Sequence, residues 1–153
     1  MGRRDIEGGG MKEARVQSTP SNPTVDWPRP FIVVVDDERR IADTLVLILN
    51  YKGYSAEAAE DGASALAICR RKVPDLVLSD VVMPGMNGIE LAIAIRQQFP
   101  GCRILLFSGQ AETTEILEDA KRRGYEFELL AKPVHPEELL TRIKELIGPR
   151  ESR

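Results

Sequence analysis

The sequence predicts a doubly wound α/β fold, a five-stranded parallel sheet in strand order 2-1-3-4-5 with helices on both faces. Three observations lead there. Between Phe31 and Ile147, short apolar or β-branched runs alternate five times with amphipathic helical patterns, which is the signature of successive strand-helix units. Three of the runs, V-V-V, L-V-L and I-L-L, are continuously apolar and read as central strands buried on both faces. The second, Y-S-A-E-A, alternates and belongs at an edge.

Taken in order, the first strand is Phe31 to Val35, and it runs straight into Asp36 and Asp37. A helix from about Glu38 to Lys52 follows, with Ile41, Leu45, Ile48 and Leu49 at helical spacing and Gly53 as its stop. Tyr54 to Ala58 is the second strand, and Ala63 to Arg71 the second helix. The third strand, Asp75 to Ser79, leads into the loop V-V-M-P-G-M-N-G and a helix near Ile89 to Phe99. Arg103 to Phe107, a helix near Glu112 to Arg123, and a short run Phe127 to Leu130 come next. Pro136 opens the last helix, Glu137 to Ile147, which Gly148-Pro149 ends.

The domain is expected to span residues 31–148, with residues 149–153 as a tail and no second domain to carry an output. Residues 1–30 carry a Gly8-Gly9-Gly10 run and four prolines, and read as a flexible arm. A formal charge of −3 supplies no basic field, so direct nucleic-acid binding is not expected. Cys69 and Cys102 lie in apolar segments without C-x-x-C spacing and read as buried thiols in a reducing, cytoplasmic compartment. Neither a signal peptide nor a membrane-spanning apolar run is visible.

In doubly wound sheets, ligands bind beyond the carboxyl ends of the strands. Those positions hold Asp36 and Asp37, Asp80, Ser108 and Lys132. Three carboxylates at one rim would raise one another's pKa values unless a cation neutralised them, and an all-oxygen set suits Mg²⁺. A carboxylate can then attack phosphorus when a metal and a lysine neutralise the phosphoryl oxygens and a hydroxyl bonds another. Asp80, alone at the end of a central strand, is the candidate nucleophile, and the paired aspartates are candidate metal ligands.

At these residues the chain resembles a receiver domain of two-component response regulators, of the stand-alone chemotaxis-regulator kind. The resemblance rests on the Asp36-Asp37 pair, Asp80 followed by Met83-Pro84-Gly85 and Asn87-Gly88, Ser108-Gly109, and Lys132-Pro133, and it covers about Phe31 to Ile147. It implies a flavodoxin-like (βα)5 fold and a phosphorelay switch. Asp80 would take a phosphoryl group from a sensor histidine kinase or a histidine phosphotransfer protein. Mg²⁺ would be held by Asp36, Asp37, Asp80 and the main-chain carbonyl of Val82. Ser108 would bond the phosphoryl group, Lys132 would pair with it, and a cis Lys132-Pro133 bond would aim the lysine at the site. The face of helix 4, strand 5 and helix 5 would bind a downstream protein. Such a chain would be a phosphoacceptor switch, capable of slow autodephosphorylation, and not an enzyme.

Blander readings exist for each residue. Asp36 or Asp37 alone could cap the first helix, Asp80 could sit in a turn, and Lys132 could be a surface lysine. His135 reads as an exposed loop or helix-start residue, Thr113 and Thr114 as capping or surface groups. Trp27 lies in the Pro-rich arm. Two departures from the family pattern stand out: Leu129 occupies the position often held by an aromatic, with Tyr125 and Phe127 nearby, in a segment one residue longer than usual. Val82 replaces a side chain that is polar in many receivers. The rivals are a receiver-like binding module independent of phosphate, and a Mg²⁺-dependent phosphohydrolase of the haloacid dehalogenase class. The latter needs D-x-D after the first strand, where this chain has Asp36-Asp37-Glu38.

Overall fold

The computed structural model describes residues 28–109 and 113–148. The expectations for the arm up to Trp27 and for the tail from Pro149 lie outside the described residues. Strands β1 (Phe31–Val35), β2 (Ser55–Ala59), β3 (Leu76–Asp80), β4 (Arg103–Ser108) and β5 (Glu128–Ala131) alternate with helices α1 (Arg39–Tyr51), α2 (Gly62–Arg71), α3 (Gly88–Gln98), α4 (Thr113–Arg122) and α5 (Pro136–Ile147). All strand pairs are parallel, in the order β2-β1-β3-β4-β5. The sheet is therefore the flavodoxin-like arrangement that the apolar runs predict.

The alternation of side chains along each strand divides the core in two. Ile32 and Val34 of β1, Leu76 and Leu78 of β3, and Leu105 and Phe107 of β4 face α1 and α5, where Ala42, Leu45, Leu49, Leu139 and Ile143 are buried. Phe31, Val33, Val35, Val77, Ile104 and Leu106 face α2, α3 and α4, joined by Cys69 and Cys102. Both cysteines are free and buried, as their apolar surroundings predict. Burial pushes the Cys102 thiol up to about 12, so it packs as a small apolar side chain. Each fully buried aliphatic side chain contributes roughly 1.5–3 kcal/mol, and β1, β3 and β4 supply most of them from three adjacent strands.

The predicted first helix exists, with a shifted buried stripe. Ala42, Leu45 and Leu49 point at the sheet, while Ile41 is 39% exposed. Ile41 lies at the margin of an i, i+3, i+7 stripe, and the smaller Ala42 lets the helix approach β1. Gly53 ends that helix with φ +102°. Strand ends differ from the predicted bounds by a residue, so that Asp80 and Ser108 are the last residues of β3 and β4 instead of the first beyond them. The loop after β3 ends in a capping box, in which the Asn87 side chain accepts from Glu90 N and the Glu90 side chain accepts from Asn87 N. That box fixes the start of α3 below Asp80.

Candidate functional site

The carboxyl ends of β1, β3, β4 and β5 bring the predicted residues to one rim. Asp36 follows Val35 directly, and its amide donates to the Ala59 carbonyl at the end of β2 (3.1 Å). Asp80 pairs in register with Phe107. The Val81 amide donates to the Phe107 carbonyl, and the Lys132 amide donates to the Ser108 carbonyl, both at 3.1 Å. Backbone ladders thus carry all four positions, and sheet geometry decides their spacing.

Oxygen atoms of Asp36, Asp37 and Asp80 lie within 4.8 Å of one another, Asp36 and Asp80 buried and Asp37 exposed. The Asp36 Oδ1 accepts the Glu38 amide at 2.9 Å. Its Oδ2 is buried with no hydrogen-bond partner among the described residues. A buried carboxylate oxygen without a partner is costly. Burial raises the Asp36 pKa most, the negative charges of Asp80 and Asp37 add to the rise, and the Glu38 amide and Lys132 oppose it. An orphaned buried oxygen facing two further carboxylates fits a hard divalent cation, for which only oxygen ligands are on offer.

On the other side of Asp80, Lys132 Nζ donates to Oδ2 at 3.0 Å, while the Val82 amide approaches Oδ1 at 3.3 Å. The lysine head also lies 5.5 Å from the ring centroid of Phe107. The Lys132-Pro133 bond is cis, as the resemblance implies. Gly109 makes room for this lysine, since a Cβ there would stand 2.8 Å from the Lys132 Cβ. The Val82 side chain is exposed beside the site, an apolar group at its mouth.

Ser108 carries its hydroxyl at the end of β4, where it is bonded to Thr113 Oγ1 at 2.6 Å. Thr113 corrects the reading of it as a surface group: it is 3% exposed. A residue at the start of a helix reads as capping or surface unless the rotation of that helix on the sheet is known. The only sequence signal is its hydroxyl five residues after Ser108. His135 is exposed at the N-cap position of α5 and makes no side-chain cap. Leu129 is half-exposed on β5, whereas Tyr125 and Phe127 stack on each other with centroids 6.2 Å apart. Arg96 of α3 lies over Phe127, and Gln97 donates to the Tyr125 hydroxyl, so these aromatics are turned toward α3.

The family described as the response regulator receiver domain matches residues 32–144. The probable transcriptional regulatory protein TcrX of Mycobacterium tuberculosis is 32% identical over 116 residues, which are 76% of this chain and 49% of TcrX. The DNA-binding response regulator MtrA of the same species is 32% identical over 120 residues, 78% of this chain and 51% of MtrA. The chain thus spans about half the length of these curated relatives. Among solved structures, the chemotaxis protein CheY4 of Vibrio cholerae is 31% identical, with a TM-score of 0.69, and the match covers 77% of this chain and 98% of CheY4.

Proposed function

The chain belongs to the response regulator receiver domain family, and from that premise we propose that Asp80 is its phosphoacceptor. The observation that carries this reading is the convergence on one buried carboxylate of Lys132 Nζ at 3.0 Å and of two further carboxylates within 4.8 Å. Lys132 draws the phosphoryl oxygens to its side of Asp80. An Asp80 oxygen attacks phosphorus, the bond from phosphorus to the donor nitrogen breaks, and its electron pair leaves with the imidazole of the donor histidine. That donor belongs to a sensor histidine kinase or a histidine phosphotransfer protein. Asp36, Asp37, Asp80 and the Val82 carbonyl would hold Mg²⁺, which neutralises phosphoryl oxygens when bound. Ser108 then donates its hydroxyl proton to the phosphoryl group.

Residues 31–148 act as the switch unit, with residues 1–30 and 149–153 as flanking segments. The output is a protein contact through α4, β5 and α5, where the edge strand exposes Glu128, Leu129 and Ala131. DNA binding is named for MtrA as a whole protein, and the match covers half of it. No helix among the described residues is long and apolar enough to cross a membrane, and the switch works in the cytoplasm on this reading.

The test is the intact mass of the protein after incubation with acetyl phosphate, with Mg²⁺ or with a chelator, followed by peptide mapping. One added phosphoryl group, dependent on Mg²⁺ and located on the peptide containing Asp80, is the expected result. No gain under any condition would leave a phosphate-independent binding module, and steady hydrolysis of many phosphomonoesters would point to a phosphohydrolase.

Asp36→Asn addresses the metal separately. The folded chain holds the Asp36 proton to higher pH than the unfolded chain does, so this group's contribution to stability falls as pH rises through the window between the two values. The asparagine does not titrate, and its amide can donate to a neighbouring carboxylate. Without metal, the variant is therefore expected to be more stable than wild type at neutral pH by about 1 kcal/mol. Mg²⁺ should raise the wild-type urea midpoint and not that of the variant. Urea melts from acid to neutral pH, with and without Mg²⁺, check both; a variant still stabilised by Mg²⁺ would remove Asp36 from the ligand set.

A further inference from the structure

Thr113 is buried at the first turn of α4, and the phosphoacceptor reading gives it no task. Its Oγ1 lies 2.6 Å from Ser108 Oγ, short for a hydroxyl pair. Of the residues in α4, Thr113 and Ala120 are the buried ones. The bond therefore ties the N-terminal turn of the helix to the end of β4, and Ala120 anchors the helix further along.

We propose that Thr113 is a positioning residue that holds Ser108 in a resting orientation, so that phosphorylation of Asp80 must break the Ser108-Thr113 bond and release the first turn of α4. The proposal rests on Asp80 being the phosphoacceptor. A phosphoryl group presents oxygen acceptors, so Ser108 can serve it only by donating its single hydroxyl proton. In the resting arrangement that hydroxyl is engaged with Thr113, while Asp80 takes its side-chain bonds from Lys132 and the Val82 amide. Turning Ser108 toward Asp80 breaks this bond inside a site where Thr113 is only 3% exposed. Either hydroxyl can donate in the resting pair, and in both cases turning the Ser108 Oγ toward Asp80 takes it away from Thr113. The device links a charge event at Asp80 to the helix that opens the proposed partner face.

Thr113→Val keeps the β-branched shape and deletes the hydroxyl. With beryllofluoride and Mg²⁺ as the phosphoryl mimic, titration calorimetry should show the valine variant binding roughly two- to tenfold tighter than wild type, the worth of one net hydrogen bond. Thr113→Ser should return the affinity to within about twofold of wild type, since it restores the hydroxyl. In a Ser108→Ala background, Thr113→Val should change the affinity no further. A loss of packing alone would act equally in both backgrounds and would not be rescued by serine. If the valine chain fails to fold by circular dichroism, Thr113→Ala carries the same comparison. Binding by wild type without a gain in the Thr113 variant overturns the latch alone. Failure of wild type to bind beryllofluoride at Asp80 overturns the phosphoacceptor reading, and the latch with it.

Discussion

Asp80→Asn is expected to abolish the Mg²⁺-dependent addition of a phosphoryl group while leaving the fold in place, seen as no added mass after acetyl phosphate and a cooperative melt near that of wild type. The carboxamide keeps the size of the side chain and an oxygen to accept the Val82 amide. It loses the negative charge that makes the carboxylate oxygen a nucleophile toward phosphorus. The structural cost is small for two reasons. Lys132 loses an ionic partner, but its side chain is 33% exposed and can turn to water. The negative charge of Asp80 also contributes to raising the pKa of Asp36, so its removal relieves that carboxyl. A variant that still gained one phosphoryl group would move the acceptor elsewhere. A variant that failed to melt cooperatively would make Asp80 a structural residue instead.

Much of this site was legible in the sequence because its residues stand at strand ends, and strand ends are marked by where apolar runs stop. F-I-V-V-V followed by Asp36-Asp37, and L-V-L-S followed by Asp80, place carboxylates at one rim once the sheet is parallel. Lys132 and Ser108 follow by the same reasoning. Edge assignment was legible too: the polar alternation of Y-S-A-E-A predicts an edge strand, and β2 lies at the edge of the sheet. What the sequence withheld depends on how helices sit on the sheet. The buried stripe of α1 runs through Ala42 instead of Ile41, and Thr113 is buried because α4 turns it toward β4. The stacking of Tyr125 and Phe127 under Arg96 is likewise a contact between segments about 30 residues apart. Local propensity says nothing of such contacts.

Gly88 is the residue whose meaning changes most between sequence and structure, and Gly88→Ala is expected to damage both stability and phosphoryl uptake. In the sequence, Asn87-Gly88 closes the loop V-V-M-P-G-M-N-G that leads into the third helix. In the fold Gly88 is the first residue of α3, its amide donating to the Val81 carbonyl at 2.8 Å. A Cβ there would stand 2.1 Å from the Asp80 carbonyl oxygen, 2.8 Å from the Val81 Cα and 2.9 Å from the Asp80 carbonyl carbon. All three are backbone atoms, so no side chain can rotate away. Either α3 retreats from the sheet, pulling on the Asn87-Glu90 capping box, or the end of β3 shifts and carries Asp80 away from Lys132. Overpacking of this kind costs about 1–3 kcal/mol and can exceed it where backbone must move. The expected result is a lowered urea midpoint, together with slower phosphorylation by acetyl phosphate at temperatures where the variant remains folded. Unchanged stability would mean that α3 can withdraw freely from Asp80. A destabilised variant that took up the phosphoryl group at the wild-type rate would mean that the helix gives way and the strand end does not. The rate in the folded variant therefore reports whether α3 sets the position of Asp80 or merely packs beneath it.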